Sequence, residues 1–277
     1  MERVYNVAGQ VFSIRNNAPE DIPFTFENYS PFEVERTSDS TVLFTLQVDG
    51  LLYSSSNALD FIKSRDCYLI DVPVWGDPKS GILKVSSSLR EGRLLMKTYS
   101  RSCLDAAVLL MFALATSGRG VIVMHSSVVV NEGKGYLFLG RSGIGKSTHT
   151  SLWVKNIPGV HLLNDDNPVI CVKDDMVRVY GSPWSGNTNC YLNEDYPVGA
   201  FVEISRALHN TMRRVNFSDA LSIITKASVA RFAIPGIAER LLDTLLRITK
   251  KHSVFILECK PDICAVKMCH DTLSQVR

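Results

Sequence analysis

Tyr136-Leu137-Phe138-Leu139-Gly140-Arg141-Ser142-Gly143-Ile144-Gly145-Lys146-Ser147-Thr148-His149-Thr150 is the stretch on which the reading of this chain turns. Its centre, Gly140 to Ser147, is a complete G-x-x-x-x-G-K-[ST] phosphate-binding loop. An apolar run enters it and a helical run from Thr148 to Trp153 leaves it, so strand, loop and helix N-terminus follow in the order the motif needs. Gly140, Gly143 and Gly145 let the backbone fold so that its N–H groups line an anion-sized nest. The helix start adds unpaired N–H donors and partial positive charge. Lys146 reaches the outer phosphates and the Ser147 hydroxyl is placed to ligate Mg²⁺. The motif predicts nucleotide-phosphate binding; it does not name an acceptor.

Asp165-Asp166 is the next informative pair. It closes the apolar run Val160-His161-Leu162-Leu163-Asn164, and an acidic group at a strand's carboxyl end beside such a loop is where Mg²⁺ is often held. Two adjacent carboxylates can divide the work, one on the metal side and one taking a proton from an attacking hydroxyl. The bland alternative is a turn or cap pair. That alternative is preferred for Asp174-Asp175, between two strand-like runs, which reads as a hairpin turn. His125 lies inside the apolar run Val121 to Val130, and periodicity alone makes it a core residue.

Composition bounds the remainder. With 45% hydrophobic and 21% charged residues, the 277-residue chain suits one or two globular domains. Thirty basic and 28 acidic residues give a net charge of +2, which leaves no electrostatic footprint for nucleic acid or an anionic membrane. Lys250-Lys251 with Arg247 is read as the end of a helix, where the dipole favours cations. The longest apolar stretch, Ala106 to Ala115, is too short to span a bilayer. Met1 to Val7 carries no signal-peptide core, and seven scattered cysteines suit reduced thiols, so a cytoplasmic protein is expected. Cys259, Cys264, Cys269 and His270 lack the spacing of zinc knuckles and read as structural thiols.

Along the chain, residues 1–99 read as short strands, Val11–Ile14, Thr41–Val48, Cys67–Ile70 and Arg93–Lys97. Asn16-Asn17, Asp49-Gly50, Asp77-Pro78 and Glu91-Gly92 punctuate them. A small β-rich domain of unknown role is predicted there, with the phosphate-loop domain over 100–277. In the second part, a helix over Cys103–Ser117 stops at Gly118-Arg119-Gly120. Strands follow at Val121–Val130, Val169–Val172, Val177–Tyr180 and Ala200–Ile204, with an amphipathic helix at Ile237–Lys250.

His125-Ser126-Ser127-Val128, Ser142 to Ser147 and Leu163-Asn164-Asp165-Asp166, in that order, resemble the C-terminal domain of HPr kinase/phosphorylase. The likeness extends to the PEP-carboxykinase-like P-loop kinases, including lasso-peptide precursor kinases, and Gly181-Ser182-Pro183-Trp184-Ser185-Gly186 resembles a loop of the stand-alone members. It covers roughly residue 118 onward. The resemblance implies an α/β PEP-carboxykinase-like core with a mixed sheet, and ATP and Mg²⁺ as cofactors. It implies phosphoryl transfer to a hydroxyl of a peptide, protein or small metabolite, and homo-oligomers. Carried over by position, it makes Asp165 the general base and Asp166 a metal-side carboxylate. His125 becomes their orienting partner, Lys146 and the loop from Gly140 to Thr148 the phosphate grip, and Ser147 a metal ligand. Thr148 stands where HPr kinases usually carry Glu, and the glutamate- and glycine-rich signature downstream of the Asp pair is missing. Those departures keep a non-catalytic nucleotide-binding regulatory module as the alternative.

Overall fold

A computed structural model describes residues 2–17, 27–36, 41–51, 66–74, 76–186, 188–229 and 234–275. The chain divides into two units, Met1–Ser117 with Phe232–Ile237, and Gly118–Arg231 with Ala238–Arg277. The helix α1 (Arg101–Ala115) therefore goes with the first unit, whereas a division at residue 100 would assign it to the second.

The first unit holds β1 (Glu2–Val7), β2 (Gln10–Asn16), β3 (Thr45–Leu51), β4 (Cys67–Val74), β5 (Asp77–Ser86) and β6 (Glu91–Met96) in one sheet of order β1-β2-β3-β6-β5-β4. The β2–β3 and β3–β6 pairs are parallel and the others antiparallel. Phe12 stacks on Phe44 at 5.0 Å between centroids and meets Phe112 of α1 edge-on at 5.8 Å, so aromatic burial holds helix to sheet. Two expected breaks are not breaks. Asp77-Pro78 begins β5, with Lys97 closing on the Asp77 carboxylate at 2.9 Å, and Asp49-Gly50 lies within β3 as a register shift against β6.

The second unit is a mixed sheet with helices on both faces. Its strands are β7 (Val121–Val123), β8 (Ser126–Asn131), β9 (Lys134–Leu139), β10 (His161–Asp166), β11 (Val169–Lys173), β12 (Met176–Tyr180), β13 (Asp195–Arg206), β14 (Thr211–Arg214) and β15 (Val254–Cys259). The twelve-residue β13 is longer than the expected Ala200–Ile204, and its length lets it serve two ladders. Its first residues pair antiparallel with β12, and the rest lies parallel between β9 and β15. From β9 the sheet continues through β8 to the edge strand β10. Side-chain alternation then makes two cores. Val129, Phe138 and Val202 face α2 (Lys146–Asn156) and α5 (Ile263–Ser274). Val128, Leu137 and Phe201 face α3 (Phe217–Ala227) and α4 (Ile237–Lys251). Cys259 and Cys269 are buried in the first of these cores while Cys264 is exposed, so the three sulfurs do not converge.

Both Asp174 (φ 45°) and Asp175 (φ 67°) are left-handed, the backbone a two-residue type I′ hairpin requires, and Lys251 pairs with Asp175 at 3.1 Å. One expected strand is corrected. Val121 to Val130 is not continuous, because β7 pairs with β11 while β8 pairs with β9 and β10. The chain changes ladders at Met124-His125, whose N–H groups donate to the carbonyls of Pro168 and Ala227. His125 therefore sits in a break between strands. Among the described residues, no helix is long and apolar enough to cross a membrane.

Candidate functional site

The loop from Gly140 to Gly145 joins the end of β9 to the start of α2. Gly140 has φ 137°, and a Cβ there would lie 2.9 Å from Ile144 Cγ2 and 3.2 Å from the Ile204 carbonyl, so both conformation and space demand glycine. Gly145, at φ 121°, is the N-terminal cap of α2, with open space where a side chain would be. Arg141, Ser142, Gly143, Ser147 and Thr148 are exposed, and Ile144 is half-buried beneath the loop.

Lys146 is only 8% exposed. Its ammonium donates to the Gly140 carbonyl at 2.9 Å and to His125 Nε2 at 2.8 Å. Burial pulls its pKa below the ordinary lysine value, against the opposing pull of Asp166 and then Asp165. Because an ammonium only donates, Nε2 of His125 is the acceptor and its proton lies on Nδ1. That N–H meets Asp166 Oδ1 at 3.0 Å. Asp166 Oδ2 accepts from Asn167 Nδ2 at 2.8 Å. A line of contacts thus runs from the loop carbonyl through Lys146 and His125 to Asp166.

Asp165 lives differently. In the β10–β8 register Asp165 lies opposite Ser127 and Asp166 opposite Ser126, so the two carboxylates leave the strand on opposite faces. Asp165 is 7% exposed, and its two oxygens accept from Ser127 Oγ at 2.7 Å and Thr188 Oγ1 at 2.6 Å. Ser127 Oγ is also 3.0 Å from Thr150 Oγ1 in α2. Asn164 shapes the strand end, its Oδ1 accepting the N–H groups of Asp166 and Asn167, while its Nδ2 donates to Ser182 Oγ at 3.1 Å. Ser182 donates to the Asn167 carbonyl, and Trp184, buried, accepts the Asn167 N–H at 3.1 Å. The loop over 181–186 is thereby tied to the Asp pair.

A groove of about 960 Å³ opens beside the phosphate loop. Its walls include His125, Gly140, Glu203, Arg206, Ile223 and Lys226. Among the described residues, no group of three or more His, Cys, Asp or Glu side chains is placed to hold a metal by itself. A Mg²⁺ bound with nucleotide asks for less, since one or two carboxylates plus phosphate oxygens and water normally complete its shell.

The structure brings Lys146, His125 and Asp166 into one chain of contacts and sets Asp165 behind them. Sequence reasoning assigned no role to Ser127, Thr150, Thr188 or Arg206. Thr150 is one helical turn beyond Lys146, a spacing that marks it as a neighbour on the same helix face. Thr188 comes from an irregular segment, and nothing in the local sequence points it at Asp165.

No family model matches this chain, and none of the curated proteins matches it. Among solved structures it is similar to the HPr(Ser) kinase/phosphatase from Coxiella burnetii, at 14% identity over 55% of this chain and 93% of that one, with a TM-score of 0.31. A likeness that loose carries no argument about residues or activity. The geometry of the site has to stand alone.

Proposed function

We propose that this protein transfers the terminal phosphoryl group of ATP to a hydroxyl acceptor, a serine of a peptide or protein or a small metabolite, from an HPr-kinase-like phosphate-loop core. The observation that carries this reading is the pairing of His125 with both Lys146, at 2.8 Å, and Asp166, at 3.0 Å. A loop that merely stores nucleotide needs no carboxylate linked through an imidazole to its lysine. A phosphotransferase does, because positioning and charge neutralisation supply most of the catalysis.

Lys146 and the N–H groups of the loop and first turn of α2 would hold the phosphates. Ser147, with one carboxylate of the pair, would hold Mg²⁺, which when bound neutralises charge on the transferring group. Accessibility favours Asp166 over Asp165 as proton acceptor for the attacking hydroxyl. Asp166 keeps 34% of its side chain exposed, whereas Asp165 is buried with a hydroxyl donor on each oxygen. His125, donating from Nδ1, orients Asp166 and holds the proton on its own ring away from the acceptor. Asp165 then serves as an internal anchor between β10, β8 and α2. This moves the general-base role from Asp165 to Asp166 and makes Asp165 structural, unlike the assignment the family resemblance implies.

The test is labelled ATP with Mg²⁺ and a panel of serine peptides and hydroxyl metabolites. Wild type is expected to bind ATP and pass label to a member of the panel. Asp166→Asn should bind but not transfer, and Lys146→Ala should bind poorly. Normal transfer by Asp166→Asn overturns its role as proton acceptor. Binding without transfer or hydrolysis favours the regulatory module, and release of phosphate to water alone overturns transfer to a hydroxyl acceptor.

A further inference from the structure

We infer that Arg206 is a positioning residue for the phosphate loop, a cationic brace that turns the loop's amides toward bound phosphate. The inference rests on the proposed nucleotide site and adds a residue that the motif does not contain. In the parallel β9–β13 ladder, Glu203 lies opposite Leu139, the last residue of β9. Strand β13 continues to Arg206 while β9 gives way to the loop, so the end of β13 runs alongside the loop backbone. The close approach of Gly140 to the Ile204 carbonyl is the same packing seen from the loop side.

From that position the guanidinium forks over two outward-facing carbonyls. Arg206 Nη2 donates to the Gly143 carbonyl at 2.6 Å, and Nε donates to the Ile144 carbonyl at 3.2 Å. In a trans peptide the C=O and the following N–H point in opposite directions. Holding the Ile144 carbonyl on the Arg206 side therefore directs the Gly145 N–H to the other side, toward the nest. The Gly143 carbonyl is held too, but the N–H of that peptide, on Ile144, donates to the Arg141 carbonyl at 3.2 Å, so this second bond rigidifies the loop while the Gly145 N–H is the amide it presents. A glycine-rich loop otherwise spends part of its binding free energy on becoming ordered. A rigid planar fork reduces that cost, and a single ammonium cannot span both acceptors as well. The positive charge also lies beside the loop, which adds a longer-range attraction for phosphate.

The experiment uses the full chain, with MgADP and inorganic tripolyphosphate as calorimetric probes and thermal melting of the unliganded protein as control. Arg206→Ala is expected to weaken both probes by a common factor of about tenfold, the scale for charge-assisted bonds near a surface. Arg206→Lys should fall between Arg206→Ala and wild type. Melting of the unliganded variants should stay within about 2 °C of wild type, as for most surface substitutions. Unchanged affinity in Arg206→Ala overturns the brace. So does weakening of MgADP alone, which would make Arg206 a contact for the nucleoside, or a loss of affinity matched by a melting drop beyond about 5 °C in both variants. If wild type binds neither probe, the phosphate-loop reading itself fails; if wild type binds and Arg206→Ala binds equally well, only the brace is lost.

Discussion

The two sides of β10 carry the same residue type and make opposite use of it. Toward α2, Asp165 is buried and spends both oxygens on hydroxyls from β8 and the segment after residue 186. Toward α3 and α4, Asp166 is partly open and meets an imidazole that itself receives a lysine. The first arrangement resists change, because removing the carboxylate takes an acceptor from the buried Ser127 hydroxyl. The second leaves a third of the carboxylate side chain open to an incoming group. The pleat thus divides adjacent aspartates on one strand, and on the proposed reading one is structural and the other chemical.

The division is sharpened most by Asp166→Asn. It should lower transfer by ~10²–10⁴, the range for loss of general base catalysis, and leave melting within about 2 °C of wild type. Equal loss of transfer and stability would break the comparison. Lys146→Ala comes next, with ATP turnover expected to fall by ~10²–10³, as when one charge-stabilising donor is removed. Steady-state assays of phosphate release and label transfer check both.

A third prediction concerns acid. His149, on the buried side in α2, accepts from Trp153 Nε1 at 3.0 Å, and burial lowers its pKa from 6.5 to about 4. Its folded form is neutral while the unfolded chain takes up a proton below pH 6.5. Stability is therefore full above that pH and is lost as pH falls toward 4, by about 3 kcal/mol at most. His252, lowered to about 4 by burial as well, adds a parallel loss. Denaturant midpoints from pH 7.5 to 4.5 should fall, and His149→Gln should remove about half of the slope. A midpoint that rises on acidification would contradict it.

The smaller effects belong to the Asp165 side. Asp165→Ala should cost about 2 kcal/mol and lower the melting temperature by roughly 5 °C, through loss of the carboxylate's bonds to the buried Ser127 hydroxyl and to the more exposed Thr188. Ser127→Ala should cost about 1 kcal/mol, since Thr150 and Asp165 each keep other partners. If Asp165→Ala melts like wild type but abolishes transfer, the two aspartates have been assigned the wrong way round.

Much of the second unit was legible because its signals are local. The hairpin at Asp174-Asp175 and the glycines at 140 and 145 are short-range backbone demands. The first unit was harder to read. β1 and β5 escaped notice, and Asp77-Pro78 and Asp49-Gly50 looked like turns, because turn-forming residues also occur at strand starts and register shifts. The strand-like stretch from Val121 to Val130 hid a change of ladder at Met124-His125, since its two flanks are buried on both faces and leave no alternation to mark the break.

By itself the sequence determined the phosphate loop, its strand and its helix, because glycine positions, the lysine and the apolar runs act within a few residues of one another. It also determined that an acidic pair ends the strand after that helix. Only the tertiary structure decided which aspartate faces His125, that His125 reaches Lys146, and that Arg206 lies across the loop carbonyls. Those choices come from register and pleat, where a one-residue step reverses the face a side chain occupies, and from contacts between residues far apart in the chain.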